Sequence, residues 1–287
     1  MRILHLDAGR EMGGGQWQVL RLIEGLAAEG VDSTLLARGD GALYSAVRRL
    51  GLRAEPLGLT RALVHLRRHH LIHAHDGRSH SLGLFLRSKP LVVSRRVTFP
   101  VGSKWKYGRA SRYIAISESV KDVLTGGGVP EEKISVVYDG VPLLEPAHGN
   151  MVLLLHKGAH FAEELAQRTG INIRLVGRLE DDLRTAAMLV YISESEGLGS
   201  GALLAMSASV PVIASRVGGL REAIWHGRNG LLIENDPAAF AGAIRDLMDH
   251  PERRKQIGEA ARQTIMERFT VDRMVRHTIE TYRQVLA

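Results

Sequence analysis

The 287-residue sequence contains no cysteine. Disulfide scaffolds, zinc–thiolate sites, iron–sulfur clusters and a cysteine nucleophile are therefore excluded. Aromatic residues make up only 5% of the chain and proline only nine positions, against 31 glycines. That balance fits Leu/Val/Ala-rich α/β layers joined by tight turns better than a β-sandwich. No apolar run approaches the ~18–20 residues of a membrane span. The opening MRILHLDAGR is too short and too polar for a signal-peptide core, so a cytoplasmic setting is expected. What is present is ample for a folded protein: 45% hydrophobic and 24% charged residues, in a chain long enough for two domains of about 100–150 residues.

Charge is placed unevenly. Residues 1–150 carry 21 basic and 14 acidic side chains, whereas residues 151–287 carry 17 of each, so the whole net charge of +7 lies in the first half. Within it, residues 61–112 hold 12 Lys/Arg, six histidines and one acid, Asp76. Such a field attracts an anionic partner: nucleic acid, anionic lipid headgroups or a phosphorylated saccharide. A plain solvated basic face is the simpler alternative.

Short apolar runs alternate with amphipathic stretches. Strands are expected at 2–7, 31–37, 53–57, 71–75, 91–94, 112–116 and 134–137, with helices between them. One such helix spans 16–29 and carries Trp17, Leu20, Ile23 and Leu26 at helical spacing. Residues 142–150, PLLEPAHGN, read as a linker. Alternation then restarts: strands at 151–156, 171–177, 189–193, 211–215 and 230–233, and helices near 159–169, 181–188, 200–208 and 219–226. Asp236-Pro237 opens a helical tail, with the acid as N-cap and proline at the first helical position. The fold class is α/β: two Rossmann-like, doubly wound parallel-sheet domains, over 1–145 and 146–270, with ligands expected beyond the carboxyl ends of the strands in a cleft.

Two glycine-rich turns stand out. The first strand runs into Gly13-Gly14-Gly15 and then a helix, a turn that lets backbone N–H groups approach a phosphate. It is neither a GxGxxG dinucleotide fingerprint nor a Walker A loop. The second is more specific: Ser193-Glu-Ser-Glu196-Gly197-Leu198-Gly199-Ser200-Gly201-Ala-Leu-Leu204-Ala-Met206, then Pro211-Val-Ile-Ala-Ser215, then Gly218-Gly219-Leu-Arg-Glu222. A strand ends, an acid and glycines form a loop, and a helix begins. Helix N-termini offer free N–H donors to phosphate, and a carboxylate beside them suits sugar hydroxyls.

This run resembles the nucleotide-sugar motif of the retaining glycosyltransferases of family 4 (glycosyl transferases group 1), which have the GT-B fold. The segments Arg109-Ala-Ser-Arg-Tyr-Ile-Ala-Ile-Ser117 and Ile134-Ser-Val-Val-Tyr-Asp139-Gly140-Val141 are similar to the end of that family's first domain. The ending Arg268-Phe-Thr-Val-Asp-Arg-Met is similar to its closing helices, which implies that 271–287 packs back on the first domain. The resemblance implies a metal-independent, cofactor-free transferase moving a sugar with retention from a nucleotide-diphosphate sugar. The donor would use Gly13, Gly14, Gly15, Gly197, Leu198, Gly199, Ser200, Gly218 and Gly219, with Glu196 on the sugar. The family's second motif acid, on the ribose, is Leu204 here, and the second domain reads as shortened, leaving Lys157 or Arg178 for the diphosphate. Where many members carry a histidine after the fifth strand, this chain has Arg95 and Arg96. His75 and Arg96 are the further catalytic candidates.

An anionic or lipid-linked saccharide acceptor is expected on the basic side, met by Asp76, Arg78, Arg95, Lys104 and Lys106. That implies envelope polysaccharide or lipopolysaccharide assembly at the inner membrane face. His73 is expected inside the sheet. The run of His69, His70, His73, His75 and His80 lacks regular ligand spacing, and no metal is expected. Two other classes stay open: a non-catalytic, reduced transferase fold binding an anionic saccharide, lipid or protein, and a nucleic-acid binder resting on charge alone.

Overall fold

A computed structural model describes residues 1–86, 88–155 and 159–287. The chain divides into two units, 1–140 with 271–287, and 141–270. The first unit runs β1 (Arg2–Asp7), α1 (Gly14–Ala28), β2 (Asp32–Ala37), α2 (Ala42–Arg49), β3 (Ala54–Pro56), α3 (Leu59–Leu66), β4 (Leu71–Ala74), α4 (Gly77–Phe85), β5 (Leu91–Arg95), α5 (Lys104–Tyr107), β6 (Arg112–Ala115), α6 (Glu118–Gly126) and β7 (Ile134–Val136). Its seven strands are all parallel, in the order 3-2-1-4-5-6-7. The winding reverses between β1 and β4, which is where an open α/β sheet offers a ligand crevice.

The second unit runs β8 (Met151–Leu155), α7 (Ala159–Thr169), β9 (Ile173–Leu175), α8 (Leu179–Asp182), β10 (Ala186–Tyr191), α9 (Ser200–Ser207), β11 (Val212–Ser215), α10 (Leu220–Ala223), β12 (Leu231–Ile233), α11 (Pro237–Asp249) and α12 (Pro251–Arg268). Its five parallel strands lie in the order 12-11-10-8-9, reversing between β8 and β10. The last helix, α13 (Val271–Leu286), belongs to the first unit.

Burial on both faces explains the strand sequences. Ile3 on β1, Leu71 on β4, Val92 on β5 and Ile114 on β6 pack beneath α1 and α13, against Leu22, Leu26, Met274, Val275 and Tyr282. Gly25 makes that helix pair possible: a Cβ there would sit 2.5 Å from Val275 Cγ2. In the second unit, Val152, Leu154, Met188, Val190 and Ile213 pack against Leu165, Phe240 and Ile244. Asp236 caps α11 by accepting from the Ala239 N–H at 2.8 Å, with Pro237 behind it.

Three local expectations are corrected. The helix expected at 181–188 ends at Asp182 with one further tight turn, and the strand starts at Ala186 rather than 189. AAMLVY is helix-compatible in isolation, but all six residues are buried between β8 and β11, where only an extended chain fits. The helix expected at 219–226 is one turn, because the backbone then leaves to form the Trp225–Gly230 loop. Trp17 lies outside the buried face of α1, 38% exposed under the Arg21 guanidinium. Val19 and Leu22 complete that face instead.

Candidate functional site

At the carboxyl edge of the first sheet, β1 ends in Asp7 and β4 leads into His75 and Asp76. The Asp7 carboxylate accepts from the Gly9 N–H at 2.8 Å and from Gln16 Nε2 at 3.3 and 3.4 Å, which ties the glycine turn to the start of α1. Burial, with a smaller contribution from Asp76, raises its pKa. Asp76 caps α4, accepting from the N–H groups of Arg78 (2.7 Å) and Ser79 (3.1 Å), from Ser79 Oγ (2.5 Å) and from the Ala8 N–H (2.7 Å). Both its oxygens are engaged, so the structure gives Asp76 to the loop framework rather than to an incoming acceptor.

His5 and His73 are register partners on β1 and β4, and His75 projects from the same face two residues on. His5 Nδ1 and His75 Nε2 are 3.0 Å apart; His73 Nδ1 meets Tyr282 Oη at 2.6 Å and its Nε2 meets Ser94 Oγ at 2.8 Å. All three rings are buried. Burial pushes His5 down to about 3 and holds His73 and His75 well below the ordinary imidazole value, so the group is neutral at physiological pH. Its nitrogens lie within 4.8 Å of one another, the spacing of a cation site. However, both nitrogens of His73 are taken by hydroxyls, and the Arg96 charge acts on His73 and His75. The chemistry fits a hydrogen-bonded stack under α13 better than a cation cage. Local sequence carries no signal for His5, because its partner His75 lies 70 residues away. Of the other histidines, His69 bonds Thr34, His70 accepts from the Arg2 N–H and His80 packs edge-on to Tyr107.

Arg96 lies beside this stack. Its side chain is only 12% exposed, with Nε 3.4 Å from Asp139 Oδ1. A Cβ on Gly15 would sit 3.6 Å from Arg96 Cδ, so the guanidinium stem borders the N-terminus of α1, where Gly13 is the cap and Gly14 and Gly15 the first turn. One edge thus gathers Gly13, Gly14, Gly15, His75, Asp76 and Arg96. Arg95 points the other way. It is buried, its terminal nitrogens go to Tyr107 Oη (2.5 Å) and the Phe99 carbonyl, and it stacks on the Tyr107 ring. Arg95 therefore anchors the 97–109 segment instead of facing a ligand. Lys106 Nζ donates to the Gly77 carbonyl at 2.5 Å. Lys104 is exposed on α5, and Arg78 is exposed at a ≈ 450 Å³ pocket shared with Arg38 and Asp40.

At the carboxyl edge of the second sheet, the 193–199 loop leaves β10 at the strand-order reversal. Glu196 Oε1 accepts from Tyr191 Oη at 2.8 Å. Burial, aided by the Glu196 charge, holds the Tyr191 hydroxyl protonated. Gly199 adopts φ 86° and caps α9, whose first residue is Ser200. The second glycine turn packs directly on this loop: Gly219 N donates to the Glu196 carbonyl at 3.0 Å, and a Cβ on Gly218 (φ 44°) would fall 2.1 Å from that carbonyl oxygen. Gly197 and Leu198 are buried in the same contact. Leu204 is buried on α9, an apolar replacement facing core. Arg178 is exposed at the start of α8, 3.4 Å from Asp181. Lys157 lies outside the described residues.

Two doubly wound parallel-sheet units, the second carrying an acid-and-glycine loop at its strand-order reversal, have the GT-B architecture of solved glycosyltransferase structures. The profile of Glycosyltransferase Family 4 matches residues 12–144, and that of Glycosyl transferases group 1 matches residues 127–264. An uncharacterized glycosyltransferase of Methanocaldococcus jannaschii is 37% identical over 120 residues, 40% of this chain and 34% of that protein. D-inositol 3-phosphate glycosyltransferase 2 of Catenulispora acidiphila is 38% identical over 142 residues, 45% of this chain and 30% of its own length. The chain thus spans about a third of the length of these curated relatives. Among solved structures, Anabaena HepE in complex with UDP and glucose superposes with a TM-score of 0.86 at 19% identity, covering 99% of each chain.

Proposed function

We propose that this chain transfers a sugar from a nucleotide-diphosphate donor held by the second unit to an anionic or lipid-linked saccharide met by the first, with retention and without a metal. The observation that carries this reading is the Glu196 loop: a carboxylate fixed by Tyr191 beside the N-terminus of α9, at the reversal of the second sheet. Free N–H groups and the positive end of the helix suit a diphosphate, and the carboxylate suits sugar hydroxyls. Leaving-group charge is then stabilised by fixed dipoles, which requires no cation. On the first unit, the half-buried Arg96, paired with Asp139 beside the α1 N-terminus, supplies a fixed guanidinium, and neutral His75 is placed to accept or relay a hydrogen bond. The basic excess of residues 61–112 favours an anionic acceptor, such as an envelope saccharide on a lipid carrier at the inner membrane face.

Two observations favour a second reading, a transferase fold that binds without transferring. Leu204 offers no acceptor to a ribose, and the close packing of Gly218 and Gly219 on the Glu196 loop explains those glycines without any donor.

The test is thermal stabilisation by UDP, GDP, ADP and CMP and their sugar forms, followed by product detection. UDP forms come first, because the HepE structure holds UDP. A shift with one base, reduced for its sugar form in Glu196→Gln, supports transfer. Stabilisation by none at millimolar concentration overturns it in favour of the second reading.

A further inference from the structure

The amino-terminal edge of the first sheet carries a second concavity, at the opposite ends of the strands from Asp7, Asp76 and Arg96. A six-residue strand at about 3.3 Å per residue separates the two edges by roughly 20 Å. This pocket encloses ≈ 380 Å³ and is lined by Arg2 on β1, Thr34 on β2, Arg48 on α2, Arg53 before β3, and Arg68 and His69 after α3. Two carboxylates, Asp32 and Glu55, also line it, against four arginines. Arg53 pairs with Asp32 at 3.0 Å, and Glu55 meets His65 at 3.0 Å. Among the described residues, no carboxylate lies within 4.0 Å of Arg2, Arg48 or Arg68.

The floor is prepared in a different way. Thr34 and His69 are both buried, with Thr34 Oγ1 3.1 Å from His69 Nε2 and His69 Nδ1 2.7 Å from the His65 carbonyl. Because that carbonyl can only accept, Nδ1 carries the proton and Nε2 accepts from the threonine hydroxyl. The floor is therefore internally satisfied and neutral, and the walls are cationic. Guanidinium forks lining a pocket above such a floor match the oxygens of a phosphoryl group.

We propose that this pocket is an anion site that takes a phosphoryl group, separate from the sugar-transfer edge. The group has two sources. One is a soluble phosphate ester. The other is a lipid headgroup, for which the C-terminal half of α3, which leads into the pocket through His65, exposes Leu63 and Val64.

The 287-residue chain and an Arg48→Ala/Arg68→Ala variant distinguish them. Both side chains are exposed, so the variant keeps its core, and Arg2→Gln provides an independent second test. Calorimetric titration with inorganic pyrophosphate at fixed ionic strength is expected to show binding that weakens tenfold or more in either variant; this assigns a soluble ligand. Flotation with phosphatidylcholine vesicles containing about 30% phosphatidylglycerol, absent with phosphatidylcholine alone and lost in the variants, assigns the headgroup. Pyrophosphate and vesicle binding that are both absent, or both unchanged by the substitutions, overturns the site. UDP stabilisation, read at the second unit, is expected to be equal in all three proteins, so failure here leaves the transferase reading untouched.

Discussion

Acid should unfold the first unit earlier than its carboxylates would suggest. The perturbation is a shift from about pH 7.5 to pH 5, and the responsible groups are His5, His73 and His75. In the unfolded chain an imidazole binds a proton near pH 6.5, whereas burial holds these three below that value when folded. Between the two values the unfolded state binds more protons, so stability is fully present above about pH 6.5 and falls with pH through the window beneath it. For His5, held at about 3, the loss at pH 5 is about 2 kcal/mol, from ~1.4 kcal/mol per pH unit. His73 and His75 are shifted in the same direction and steepen the fall, against a total stability of roughly 5–15 kcal/mol. Asp7 and Asp139 act with the opposite sign, since burial raises them and protonation favours the fold, but they are two against three. The assay is denaturant unfolding followed by tryptophan fluorescence in Trp225→Phe, which leaves Trp17 and Trp105 to report on the first unit. His5→Leu is expected to blunt the slope. A midpoint that stays constant from about pH 7.5 to 5.5 would refute the reasoning.

Other consequences are more local. Tyr282→Phe removes the 2.6 Å partner of His73 and should cost about 1–3 kcal/mol in denaturant melts, with α13 losing amide-exchange protection first. Asp76→Ala removes the α4 cap and the Ala8 tether; a loss of about 1–2 kcal/mol is expected, and a neutral result would show that the loop is held by other means. Gly218→Ala places a Cβ against the Glu196 carbonyl and should abolish nucleotide stabilisation while lowering Tm by several degrees. Normal nucleotide binding in that variant would detach the two glycine turns from the donor.

Much of the architecture was legible because burial writes itself into sequence. The apolar runs of both sheets, the cap at Asp236 and the turn after β1 all follow from local chemistry. What escaped depended on partners distant in sequence. Nothing near β1 indicates that His5 stacks with His75, and nothing near β4 places Tyr282, 209 residues away, on His73. Arg95 and Arg96 look equivalent in a string, yet strand alternation sends one into the Tyr107 packing and the other toward Asp139. Asp76 reads as a site acid and a cap acid equally well until the four groups bonded to it are known.

The same distinction decides how Glu196 should be tested. From sequence, Glu196→Ala is expected to abolish transfer with little loss of stability. The Tyr191 hydrogen bond changes that expectation, because alanine leaves a buried phenol without its acceptor, at a cost of about 1–3 kcal/mol. Loss of activity in the alanine variant would then confound a disturbed loop with a missing ligand to the sugar. Glutamine keeps an amide oxygen for Tyr191 and removes only the charge. Glu196→Gln should therefore melt within about 1 kcal/mol of the natural chain while product formation falls at least a hundredfold, and binding of the free nucleotide diphosphate should persist. Transfer at the natural rate in Glu196→Gln would leave the carboxylate with no part in the reaction and return the loop to a structural role, alongside the glycines that pack upon it.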